Sequence, residues 1–259
     1  MNKTPVHPRP AASILLIRDG AAGLEVFMVV RHHMIAFAPN AQVFPGGRVD
    51  KADHDLVPLS SFPELAPDSV PFRVAAIREA YEECGILLAR HRVGGQYVAA
   101  DRVPGFARLD ENGHAKPEDF PNLLKDEDLV PAVDALVPYS HWITPVFSPM
   151  RFDTHFFLAV APPGQEGCHD GREAVDSLWA SPAQTIAEAE AGKRRVEFPT
   201  RMNLRPLLGC ANTTEAMVAA RARQVVTVVP ELVASEGKRF TLRIPQAAGY
   251  GAEIYDVEA

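Results

Sequence analysis

The sequence predicts an α/β fold, a sheet with helices packed on both of its faces. Three observations lead there. Strand-like and helix-like segments interleave along the whole 259 residues instead of segregating into halves. Apolar residues make up 47% and charged residues 23%, a balance that supports a real core. No internal repeat or low-complexity linker divides the chain, although at about 150 residues per domain its length corresponds to roughly 1.7 domains.

Taken in order, residues 13–17 and 24–30 are apolar and rich in branched side chains, and DGAAG between them is a turn signal. They are expected to form a β-hairpin. Polar, proline-containing sequence then leads to Val43-Phe44-Pro45-Gly46-Gly47. Residues 50–71 read as a loop, with Pro58, Pro63, Pro67 and Pro71. Ser69 can cap a helix that carries Pro71 in its first turn, runs to about Cys84 and stops at Gly85. Residues 94–113 are turn-rich. Residues 117–136 carry helical spacing at Leu123, Leu124, Leu129, Val133 and Leu136, and are expected to be one helix. THFFLAV, residues 154–160, is a strand, and 174–179 a further strand. Ser181 precedes a short helix over 182–191, residues 213–224 are helical, and 240–244 form a late strand.

Acidic residues, 33, exceed basic ones, 26, for a net charge of −7. Coating nucleic-acid phosphates needs a clustered basic surface, so nucleic acid is not an expected partner. An anionic small molecule remains compatible, because a metal can supply positive charge. The three cysteines, Cys84, Cys168 and Cys210, lack CxxC spacing, which argues against a disulfide framework and fits a reducing cytosol. No apolar run approaches the roughly 18 residues of a membrane span. The first residues lack a leader pattern, and the last, DVEA, are neither SKL nor KDEL. The expected location is cytoplasmic, without membrane association.

The chemistry is concentrated in residues 74–88, VAAIREAYEECGILL. With Glu79 at the origin and about 100° per residue, Glu82 falls near ~300° and Glu83 near ~40°, so three carboxylates share one helix face. Val74, Ile77, Tyr81, Cys84 and Leu88 lie opposite, between roughly 140° and 220°. This predicts an apolar side on the core and an exposed acidic side. Carboxylates three and four residues apart repel, and Glu83 sits in the last turn, where the helix dipole disfavours an anion. Only Arg78 compensates locally. A solvated acidic face is one reading; a bound hard divalent cation, which removes these penalties, is the other. Upstream, the glycines after Pro45 permit positive φ and close backbone approach to a ligand.

Together these elements resemble the Nudix hydrolases, whose box runs glycine, five residues, Glu, seven residues, then Arg-Glu-aliphatic-x-Glu-Glu-x-Gly-aliphatic. Arg78-Glu79-Ala80-Tyr81-Glu82-Glu83-Cys84-Gly85-Ile86 matches the second half at every defined position, and Gly47 matches the opening glycine. Asp53 stands where the family has Glu. Between Asp53 and Arg78 lie 24 residues, an insertion of 17. The FPGG run, the long insertion, Arg151-Phe152-Asp153-Thr154 and Trp142-Ile143-Thr144-Pro145 look like the peroxisomal-type coenzyme A diphosphatase branch.

The resemblance implies a single Nudix-type α/β/α sandwich with a mixed sheet over residues 1–259. Its insertions fall at about 53–70 and 94–139, the latter partly helical and a candidate lid. It implies Mg²⁺ or Mn²⁺ on Glu79, Glu82, Glu83 and the Gly46 carbonyl. Arg78, Gly47, Asp53 and Gly85 would support the site. The general base is either a box glutamate, Glu82 or Glu83, or a distant carboxylate, for which Glu173 is the candidate. Arg31, Arg48 and Arg151 are candidate phosphate contacts. The implied reaction is hydrolysis of a nucleoside diphosphate linkage, with coenzyme A or its acyl esters as leading substrate. ADP-ribose, NADH or dinucleotide polyphosphates are the alternative, and a non-catalytic nucleotide-binding module is the alternative of a different class. The expected partner is a small-molecule nucleotide, with a homodimer as the candidate assembly. His32 and His33 are expected to point to opposite faces, and Cys84 to fill core space.

Overall fold

The computed structural model describes residues 6–34, 38–56, 62, 64–106, 120–237 and 239–258. Strand β1 (Arg9–Gly20) organises it. Its SILLI run is apolar at consecutive positions because both faces are covered. Ile14 and Leu16 belong to one core and Leu15 and Ile17 to another. Strand β8 (Phe152–Val160) pairs in parallel along one edge of β1, from Arg9 to Ile17. The other edge of β1 is divided between two partners. Strand β2 (Gly23–Arg31) pairs with Ile17–Gly20, forming the expected hairpin, and β4 (Gly46–Arg48) pairs with Ala11–Ser13.

The sheet runs β10 (Thr227–Val228), β7 (Val137–Ile143), β8, β1, β2, β3 (Gln42–Val43), with β4 on β1 and β9 (Ala174–Ala180) on β2. The β1–β8 and β7–β10 pairs are parallel and the others antiparallel, so the sheet is mixed. Helix α2 (Val70–Cys84) covers one face through Val74, Ile77, Ala80 and Cys84. The opposite face is covered by Ile186 of α4 (Pro182–Glu190), Leu204 of α5 (Phe198–Leu204), and Met217 and Ala220 of α6 (Thr213–Ala222). A separate three-stranded sheet, β11 (Glu231–Glu236), β12 (Arg239–Arg243) and β13 (Ile254–Glu258), closes the chain. It belongs to a third core in which Leu242 and Ile244 pack with Trp142 and Phe198. No helix among the described residues is long and apolar enough to cross a membrane.

Two expectations need correction. The loop expected over 50–71 contains a helix, α1 (Lys51–Asp55), entered where the Asp50 N–H donates to Asp53 Oδ2 at 2.7 Å. Residues 57–61 and 63 lie outside the described residues. The single helix expected over 117–136 is instead α3 (Phe120–Asp126), a turn at Asp128 with φ 51°, and β6 (Leu129–Pro131) paired to β5 (Ala89–His91). The apolar spacing misled because Leu123 and Leu124 of a helix and Leu129 of a strand enter the same core beneath α2. Within the described part of the 94–139 insertion, Val98, Val103, Phe120 and Val133 are buried in that core. Residues 107–119 lie outside the described residues.

Candidate active site

Helix α2 ends as its sequence requires, on Gly85 with φ 65° and its N–H bonded to Tyr81 O at 2.8 Å. The carboxylates of its last two turns lie over β4, and the glycine pair is what permits the approach. A Cβ on Gly47 would stand 2.4 Å from Glu79 Oε1, and one on Gly46, with φ 156°, would stand 2.5 Å from Ala12 O. The Gly46 N–H donates to Glu83 Oε2 at 3.0 Å.

Arg78 ties the face together. Its Nε and Nη2 grip Asp53 at 2.9 and 3.0 Å. Its Nη1 donates to Glu79 at 2.9 Å and Glu82 at 2.7 Å, and Nη2 also reaches Arg48 O at 2.9 Å. The five guanidinium hydrogens are thus all committed. Asp53 is fully buried, so this is an internal ion pair whose disruption would strand a charge.

Periodicity predicted an exposed acidic face, but the face is largely covered. Glu83 is buried, and Glu79 and Glu82 keep only 13% and 14% of their side-chain surface in solvent. The helical wheel correctly separated carboxylates from apolar residues, but β4 covers the carboxylate side. Burial pushes Glu79 up to about 7 against the opposing pull of Arg78, and the fields of Glu173 and Asp53 add to the rise. Burial likewise raises Glu82 to about 8. Burial, then the Glu79 charge, holds Glu83 well above the ordinary carboxylate range. One arginine therefore does not keep all of these buried carboxylates ionised, and the groups offer only oxygen. That donor set fits a hard divalent cation.

Most of these residues line a cavity of about 580 Å³, whereas the buried Glu83 and Asp53 are not in its lining. Glu79, Glu82, Gly46, Gly47 and Arg78 form one wall, and Arg31, Arg48 and Glu173 also line it. Arg31 has a buried Nε without a hydrogen-bond partner, and its charge reaches Glu83. Glu173 is exposed, and its field acts on both Glu79 and Glu83. Asp170 positions it by accepting from the backbone N–H groups of Arg172, Glu173 and Ala174 at 3.0, 3.2 and 3.0 Å. Arg151 does not join them. It is buried, donating to Thr144 O at 2.9 Å and Val6 O at 2.8 Å, and so holds backbone instead of facing the cavity. His32 and His33 also depart from expectation: their rings stack at 4.2 Å, because β2 ends at Arg31 and strand alternation no longer applies.

Sequence reasoning missed the remainder of the cavity: Arg9, Trp142, Thr144, Pro145, Phe156 and Pro230 among its lining. Parallel pairing of β1 with β8 brings Arg9 opposite Phe152, a contact across more than half the chain. No local pattern signals it. The Asp170 turn was a readable signal for the placement of Glu173, since Asp side chains commonly cap backbone two or three residues ahead.

Comparison with known proteins places the chain among similar sequences and folds. The family described as the NUDT19 Nudix domain matches residues 57–207. The human acyl-coenzyme A diphosphatase NUDT19 is 30% identical over 206 residues, covering 63% of this chain and 55% of that protein. Its chicken counterpart is 31% identical over 244 residues, with 72% and 64% covered. A putative nudix hydrolase 7 of Caenorhabditis elegans is 32% identical over 195 residues, with 74% and 57% covered. The chain thus spans a little over half the length of these relatives. The crystal structure of a Nudix hydrolase from Alicyclobacillus acidocaldarius superposes with a TM-score of 0.70 at 29% identity, over 82% of this chain and 96% of that one.

Proposed function

Since the chain belongs to the Nudix hydrolase family, we propose that it cleaves the diphosphate linkage of coenzyme A or an acyl-CoA. The products are 3′,5′-ADP and (acyl-)phosphopantetheine. The observation that carries this reading is a single cavity whose lining combines box glutamates with Arg9, Arg31 and Arg48 and with apolar surface that includes Trp142, Phe152 and Phe156. Cationic groups there suit phosphates, and aromatic and proline surface suits the rest of such a substrate. The named diphosphatase relatives support the substrate class.

Glu79, Glu82, Glu83 and the Gly46 carbonyl would hold Mg²⁺ or Mn²⁺. When bound, such an ion polarises phosphoryl oxygens and lowers the pKa of a coordinated water. The chain's own residues do the rest. Arg78 fixes Glu79 and Glu82 by charge-assisted hydrogen bonds and touches no substrate. The Gly46 N–H fixes Glu83. Arg31 and Arg48 offset phosphate charge. Glu173, exposed beside the cluster, takes the proton of the attacking water as its oxygen bonds to phosphorus and the bridging P–O bond breaks. The leaving phosphate departs as an oxyanion.

Product analysis with coenzyme A and ADP-ribose in parallel, with Mg²⁺ and then Mn²⁺, tests the proposal. Formation of 3′,5′-ADP from coenzyme A is the expected result. Cleavage of ADP-ribose with coenzyme A untouched would overturn the substrate assignment.

A further inference from the structure

Phe152, Thr154 and Phe156 of β8 line the cavity, and strand side chains alternate, so Asp153 and His155 between them point to the other face. There His155 stands opposite His141 of β7, with Asp153 two residue pairs along, opposite Ile143. The imidazoles stack with centroids 4.1 Å apart and planes 23° from parallel. His141 Nε2 lies 2.5 Å from Asp153 Oδ1, and one ligand atom from each of the three groups falls within 4.8 Å of the others. Phe72 of α2 covers His155 at 4.2 Å. Seven residues, about 10 Å of helix, separate Phe72 from Glu79. The cluster is therefore distinct from the carboxylate face.

From this arrangement we infer a second metal site, taking one borderline divalent ion of the Zn²⁺ class on His141, Asp153 and His155. Two nitrogens and one carboxylate oxygen are the donors that favour Zn²⁺, Co²⁺ or Ni²⁺ over Mg²⁺. The far nitrogen of His141, Nδ1, lies 2.8 Å from Thr227 Oγ1. That hydrogen bond orients the ring and leaves Nε2 toward Asp153, as the outer hydrogen bond of a metal-bound histidine does. Burial, and then the neighbouring His141, pushes His155 down to about 4, so its lone pair is free at neutral pH. Tetrahedral Zn²⁺ with bonds of about 2.0–2.1 Å places ligand atoms roughly 3.3 Å apart. Side-chain rotation covers the difference from the separations seen here, and the fourth position is left to water. The ligands belong to the adjacent strands β7 and β8, and Thr227 of the neighbouring β10 supports them, so an ion there clips the sheet behind the cavity wall.

The test is Zn²⁺ titration of the full chain against a chromogenic chelator, with excess Mg²⁺ present throughout, and Co²⁺ absorption in the visible as a second readout. One equivalent should bind, and His155→Gln or His141→Ala should weaken it by about 100-fold or more, since losing even an outer hydrogen-bond partner of a ligand costs about 10–100-fold. His155→Gln keeps the side-chain size should the alanine variant fail to fold. Glu82→Gln should bind Zn²⁺ as the parent does. Equal Zn²⁺ affinity in the parent and both histidine variants, or loss of Zn²⁺ binding in Glu82→Gln alone, would overturn the site. The outcome does not depend on which diphosphate is hydrolysed.

Discussion

On the α2 wall of the cavity, charged side chains are paired inside the protein before any ligand arrives. Arg78 holds Asp53, Glu79 and Glu82, and Gly46 holds Glu83. Elsewhere in the lining, the side chains of Arg9, Arg31 and Arg48 form no ion pair among the described residues, and a buried nitrogen of Arg31 has no partner. The acidic wall is thus organised in advance and short of positive charge; the basic side is short of negative charge. A metal–diphosphate complex supplies both. The difference teaches which residues the protein needs for shape and which it keeps for a ligand.

The largest effect should come from breaking the acidic wall at Glu82, whose bond to Arg78 an amide can still accept. Glu82→Gln keeps the size of the side chain and an acceptor for Arg78 but removes a negative donor. Turnover should fall by about 10³-fold, on the order of 4 kcal/mol of transition-state stabilisation. Far-UV circular dichroism should be unchanged. Steady-state kinetics on the cleaved substrate checks this, and near-parental kcat in a folded variant would remove Glu82 from the metal set.

A second, smaller effect concerns protons. Glu79 and Glu82 titrate near 7 and 8 in the folded chain, raised by burial from an ordinary value of 4.5. Raised carboxylates hold more protons folded than unfolded, so without metal their contribution to stability is present at low pH and is lost as pH climbs from about 5 to about 8. Each group's loss is at most about 1.4 kcal/mol per pH unit. A bound divalent cation keeps the carboxylates ionised at no such cost. Thermal melts should show Mg²⁺ stabilising the protein more at pH 8 than at pH 5.5, and binding should release protons. An increment independent of pH would contradict the metal assignment to these buried glutamates.

The same contrast explains what was legible in the sequence. The carboxylate spacing, the Gly85 stop and the glycine pair are local, governed by helix period and backbone freedom, and could be read directly. Asp53 could be placed as support only through the box spacing; its buried grip on Arg78 depends on α1, which a proline-rich stretch concealed. The cavity's far side depends on β1 pairing with β8, so Arg9 carried no signal at all. Arg151 was misread because an arginine that binds two carbonyls and one that awaits phosphate have the same sequence appearance. Burial of both faces also hid the true surroundings of the acidic side, since a wheel shows which residues share a face but not what covers it.

Arg48 and Arg151 test that last distinction directly, with the smallest expected effects. Arg48 is exposed on the cavity, so Arg48→Ala should leave thermal stability nearly unchanged and raise KM about tenfold, roughly 1.4 kcal/mol, by removing a phosphate contact. Arg151→Ala should do the reverse. It removes the hydrogen bonds to Thr144 O and Val6 O and empties the space of a buried side chain, a cost of about 1–3 kcal/mol, and at about 2–4 °C per kcal/mol for a chain this size the melting temperature should drop by several degrees. KM should stay close to the parent value, because the lost hydrogen bonds anchor backbone. Melting curves and substrate saturation on the two variants give both readouts. A KM increase in Arg151→Ala without loss of stability would mean that its guanidinium leaves those carbonyls to meet substrate, and the division between structural and ligand-facing arginines would have to be redrawn.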